Sequence, residues 1–192
     1  FTLALAHPDP EVQIEGGWAA GKKQETRGFE KLMHWCLDAR YSKEAINYLE
    51  ELGRPDAVPE KAKEPAFEAK AEMCQWLSDP EELASVPDTI EQIDSRELFW
   101  PPTNDRRTVY LFRYHYDADG PDAPEVNGVG MVGSVTFALF GEDLPTLKPA
   151  EVYALHCCWE LQLNHDKRAP AERSIELGLK ILQAANPNLS LQ

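Results

Sequence analysis

No apolar run in the sequence approaches the roughly 20 residues that a bilayer-spanning helix requires, so no membrane span is expected. Basic residues are scarce. Lys and Arg number 19 against 33 Asp and Glu, a formal charge of −14 in 192 residues. That field repels a phosphate backbone, and nucleic acid is not an expected partner. The pairs Lys22-Lys23 and Arg106-Arg107 are isolated and read as solvated charges. Cysteine is limited to Cys36, Cys74, Cys157 and Cys158, with no C-x-x-C spacing. These read as reduced core thiols in a cytoplasmic protein. Neighbours on a helix point about 100° apart, so Cys157 and Cys158 are not expected to bridge. The H-E-x-x-H and G-x-S-x-G patterns are also missing, and no catalytic residue, metal or cofactor is expected. The chain opens on Phe1 rather than methionine, the expected mark of a processed or truncated start.

What is present suits a packed protein: 43% hydrophobic residues, among them five tryptophans. The length allows one sizeable core or two smaller ones. From Pro8 to Leu77 the periodicity is helical. Asp9 and Pro10 form an N-cap and first-turn proline ahead of Val12, Ile14 and Trp18. A second face carries Phe29, Leu32, Met33 and Cys36, and a third Ala45, Leu49 and Leu52 between Ser42 as N-cap and Gly53 as stop.

"EVQIEGGWAAG" and "KEAINYLEELG" align with Gly21 on Gly53, an offset of 53 − 21 = 32 residues, and "FEAKAEMCQWLSDP" begins an imperfect third copy. This is the period of a helical-hairpin repeat. "AINYLEELGRPDAVP" resembles the HEAT repeat through Leu49, Leu52, Gly53, Asp56, Ala57, Val58 and Pro59. The resemblance covers about the first 80 residues and implies a short stack of helical hairpins. Such a stack leaves an apolar end open, and the remainder of the chain is its expected cap.

Beyond a proline-punctuated connection ending near Pro101-Pro102, the period changes to two. "TVYLFRYHY" places Tyr110, Phe112, Tyr114 and Tyr116 on one face and Val109, Leu111, Arg113 and His115 on the other. A second strand through Val135, Phe137 and Leu139 is expected to pair with it as a hairpin spanning 107–140. "PAEVYALHCCWELQL" and "AERSIELGLKILQAA" read as helices, the first apolar nearly all round. This C-terminal block is also similar to one found in bacterial proteins with HEAT-type helices. The expected class is thus α+β, mainly α: a HEAT-like helical region over 1–95 and an α+β cap over 96–192, forming one unit.

Between the acidic loop and the second strand, Gly128, Gly130 and Gly133 spell G-x-G-x-x-G. A dinucleotide site needs a strand before these glycines and a helix after them. Here a loop precedes them and β-branched Val135-Thr136 follow. The expected role is to let rings of a facing strand lie across the backbone, or to mark a bulge. Asp117, Asp119, Asp122 and Glu125 offer oxygen ligands, but Gly120 comes fourth rather than sixth, so a solvated loop is expected in place of a calcium site.

Helical repeats build extended binding faces, and the leading expectation is a non-catalytic protein-interaction or scaffold module. The alternative is a small-molecule-binding protein or enzyme with a pocket between the helical stack and the hairpin, coloured by HEAT-like lyases that attach tetrapyrroles. Its lining would be Trp100, Tyr110, Phe112 and Tyr114, with His115, His156 and Glu160 as polar groups. His156 and Glu160 stand four apart and share a helix face.

Overall fold

The side chain of Asp9 accepts the Glu11 amide at 2.9 Å, and Pro10 takes the first helical position, where its missing N–H is no loss. The computed structural model describes residues 1–118, 125–140, 146–163 and 171–188. It divides into two units, Phe1–Val86 and Pro87–Gln192.

Among its described residues the first unit is helical: α1 (Thr2–Leu5), α2 (Pro10–Lys22), α3 (Thr26–Trp35), α4 (Ser42–Glu51) and α5 (Pro65–Leu77), with short 3-10 turns at Pro55–Ala57 and Glu60–Lys63. Successive helices pack against one another in a repeat-like series of pairs. Ile14, Phe29, Leu32, Cys36, Ala45 and Leu49 form the core, as the stripes in the sequence lead one to expect. Each large side chain among them is worth about 1.5–3 kcal/mol of burial. Met33, expected on the same face, is exposed. Helices α2 and α3 meet backbone to backbone at Gly28, where an added Cβ would stand 2.6 Å from Gly17 O and Gly21 N.

Gly53 ends α4 as expected, at φ +71°. The Arg54 amide reaches Leu49 O at 2.8 Å and the Gly53 amide reaches Glu50 O at 2.9 Å, a paired closure that demands the left-handed backbone. Gly21, its partner in the sequence alignment, does a different job inside α2 beside the Leu52 side chain. The left-handed residue after α2 is Gln24, closed by the same two bonds. Ser42 is not the cap of α4: it is the first residue of that helix, and its buried hydroxyl donates to Cys36 O at 2.9 Å.

The second unit holds β1 (Thr89–Trp100), β2 (Asp105–Tyr116), β3 (Val126–Val132), β4 (Thr136–Phe140), α6 (Pro149–Glu160) and α7 (Ala171–Ala185). The strands form an antiparallel sheet in the order β1-β2-β3-β4. This corrects the expected two-stranded hairpin. Residues 89–95, placed with the helices by sequence, open the edge strand β1, and the glycine stretch is itself β3, lying between the two strands expected to pair directly. A register shift between Gln92 and Asp94 breaks the alternation of β1 and hides it from a period-two search.

One sheet face, with Leu98, Trp100, Val109, Leu111, Val129 and Met131, packs against Tyr153, Ala154 and Cys157 of α6 and Leu182 of α7. Strand alternation puts Tyr110, Phe112 and Tyr114 on the opposite face. There Tyr114 pairs in register with Gly128 and Phe112 with Gly130. A Cβ on Gly128 would fall 2.2 Å from Tyr114 Cζ, so the ring occupies the space a side chain would need. Its hydroxyl donates to Leu139 O at 3.1 Å. The glycine pattern therefore serves the sheet, with Gly133 in the connection to β4. Beyond α7, the buried Asn186 side chain accepts the Phe99 amide at 2.8 Å and donates to Phe99 O at 3.0 Å, standing in for a neighbouring strand on β1.

Candidate functional site

Helix α6 positions the polar groups singled out in the sequence. Pro149 starts it, and Glu151 reaches back to accept the Lys148 amide at 2.7 Å. It closes with Gln162 at φ 56°, the Leu163 amide bonding Cys158 O at 2.9 Å. Four residues apart, His156 and Glu160 lie on one side of the helix. Glu160 Oε2 accepts from Trp100 Nε1 at 3.0 Å and from Ser134 Oγ at 2.6 Å. Its Oε1 is buried without a hydrogen-bond partner, as are both ring nitrogens of His156. Burial alone drives the His156 pKa from 6.5 to about 3, so the ring is neutral at pH 7.

Trp159 turns the other way. Its side chain is 46% exposed, and its ring stacks on Phe137 with centroids 4.0 Å apart and planes 16° apart. Phe137 meets the His156 ring edge-on at 5.5 Å. Val135, two residues before Phe137, is 41% exposed, and Leu163, four residues after Trp159, is 47% exposed. A solvent-facing aromatic stack thus meets the buried His156 ring through Phe137.

Of the seven residues proposed from sequence, the structure joins Trp100 to Glu160 by a hydrogen bond, with His156 one helical turn before Glu160. Tyr110, Phe112 and Tyr114 lie across the sheet from them, Phe112 and Tyr114 fully buried. His115 is ten residues along β2 from Asp105, the register partner of Trp100, roughly 30 Å of extended chain. It bonds Asn127 Oδ1 at 2.9 Å and Asp117 Oδ1 at 3.0 Å, and these partners raise its pKa above the ordinary histidine value. The expected lining therefore does not converge, because alternate residues of one strand point to opposite faces and His115 sits at its far end.

Comparison with protein-family models, curated proteins and solved structures finds no match.

Ser134 and Phe137 complete the α6 site and were not singled out as site residues. A signal was available in their shared strand-turn segment, but neither residue type is distinctive without the register. Among the described residues no group of three or more His, Cys, Asp and Glu side chains is placed to hold a metal ion. Asp119, Gly120 and Asp122 of the acidic loop lie outside the described residues. No described helix is long and apolar enough to cross a membrane. The four cysteines are buried free thiols, and burial lifts those of Cys36, Cys74 and Cys157 to about 12.

Proposed function

We propose that this chain is a non-catalytic protein-interaction module that engages its partner through the Trp159–Phe137 stack. The observation that carries this reading is the half-exposed Trp159 ring, supported from behind by Phe137 and accompanied by exposed Val135 and Leu163. Interface energy concentrates in aromatic anchors of this kind, because a large rigid ring buries much area at little entropic cost. Beneath it, the bonds from Trp100 and Ser134 to Glu160 hold the end of α6 in place, so the platform is preorganised. Paired helices in the first unit suit a scaffold, and four buried thiols suit a reducing, cytoplasmic setting.

The test replaces Trp159 with a photo-crosslinking amino acid and, separately, with alanine. Crosslinking in the source cell should join the chain to a defined protein, and Trp159→Ala should weaken that complex by at least about 2 kcal/mol while leaving the circular dichroism spectrum unchanged. A crosslinked protein that binds Trp159→Ala as tightly as the native chain, or the absence of any crosslink, rejects the reading.

A further inference from the structure

The first unit carries a cleft of about 500 Å3, lined by α4, the end of α5, the start of α2 and residues 84–86. Tyr41 and Tyr48 are among its walls. Two lining residues are cations, but Arg40 is already neutralised by two bonds to Asp38, at 3.0 and 2.7 Å. That leaves Lys43 against Glu11 and Glu44. Just behind the lining, Glu15 accepts the Tyr48 hydroxyl proton, which leaves the phenol oxygen free to accept in turn. Among the described residues, the side chains of Glu11, Glu44, Asn47 and Gln75 have no hydrogen-bond or ion-pair partner. Partial loss of hydration, then the like charges of Glu15 and Glu11, push the Glu44 carboxyl above its ordinary value. These carboxylates repel one another across the cleft.

The same helices already show how such a surface holds a cation. The Lys22 ammonium sits 3.6 Å from the centre of the Trp18 ring and 3.2 Å from a Glu51 oxygen, and Trp18 itself stacks on Tyr48. Arg40 lies over Tyr41 at 5.5 Å. Aromatic face plus carboxylate is the chemistry that recognises ammonium and guanidinium groups.

We propose that this cleft is a binding site for an organic cation, an alkylammonium or guanidinium group whose charge is met by Glu11 and Glu44 and whose stem lies along Tyr41 and Tyr48. Asn47 and Gln75 supply side-chain carbonyl oxygens for the remaining N–H groups. The inference goes beyond the Trp159 surface and responds to different variants, so either can fail alone.

The experiment follows backbone amide shifts of the full chain during titration with putrescine, with N-acetyl-lysine amide and with the neutral N-acetyl-norleucine amide. Both amines should produce saturable shifts at Tyr41, Glu44, Asn47 and Tyr48 with dissociation constants of about 1 mM, and norleucine none. The tighter amine distinguishes a free polyamine from a basic side chain of a polypeptide as the natural source. Glu11→Gln combined with Glu44→Gln should weaken binding about tenfold, and Lys43→Gln, which removes the competing cation, should tighten it about threefold. Equal binding of the neutral analogue, shifts centred elsewhere, absence of saturation, or indifference of both variants overturns the proposal.

Discussion

Acidification should destabilise this protein through His156 in particular. The ring is fully buried, both nitrogens are unpaired, and its pKa falls from 6.5 to about 3 on folding. Between those values the unfolded chain takes up a proton that the folded chain refuses. Stability is therefore unaffected above pH 6.5 and lost progressively as pH falls toward 3. Each pH unit in that window costs about 1.4 kcal/mol, so a change from pH 7 to pH 5 should remove about 2 kcal/mol. His156→Leu keeps an apolar side chain of similar bulk and deletes both the titration and the orphaned nitrogens. At pH 7 the variant should be as stable as the native chain or more so, by up to about 2 kcal/mol, because a buried polar group without a partner costs about 1–3 kcal/mol. Urea unfolding of both proteins at pH 7 and pH 5 isolates the effect, since other groups titrate alike in each and cancel in the difference. If the native chain and His156→Leu lose the same stability between those pH values, the ring is not held neutral by burial and the reasoning fails.

Gly28→Ala should destabilise the first unit, by up to about 2 kcal/mol. The new methyl meets two backbone atoms at 2.6 Å, an overpacking cost of about 1–3 kcal/mol that exceeds the roughly 1 kcal/mol gained in helix propensity. Gly21→Ala meets the movable tip of Leu52 instead and should be neutral or mildly stabilising, so urea midpoints in the reverse order would refute the close contact of α2 and α3. Gln24→Gly and Gln162→Gly should each add about 0.5–1 kcal/mol, because both residues occupy left-handed backbone at a helix end. Thermal unfolding that shifts downward in either variant would count against those turns.

Much of the architecture was legible because local chemistry announced it. Asp9-Pro10, Gly53 and the stripes through Leu32 and Leu49 each name a helix start, stop or face, and the structure keeps them. The same helix-ending bonds at Gln24 and Gln162 left no trace, since glutamine carries no preference for the left-handed region that would flag it. Strand β1 was hidden for a different reason: a bulge between Gln92 and Asp94 puts its alternation out of phase, and its exposed residues Thr89, Glu91, Gln92, Ser95 and Glu97 are polar without marking a strand. The candidate site was half legible. The shared helix of His156 and Glu160 follows from their spacing, and Trp100, which bonds Glu160, was singled out as an aromatic lining residue. The outward turn of Trp159 and its stacking on Phe137 depend on strand register, which a chain with a bulge and a third strand between the expected pair does not reveal.

The amide clasp of Asn186 on Phe99 joins positions 87 residues apart in the chain. Strand β1 is the first element of its unit to leave the ribosome, yet this stretch of its outer edge finds a covering partner only after nearly everything else in the unit has been made. Until then the nascent strand offers bare amides and carbonyls to any passing chain, and the seal arrives only once Asn186 has emerged.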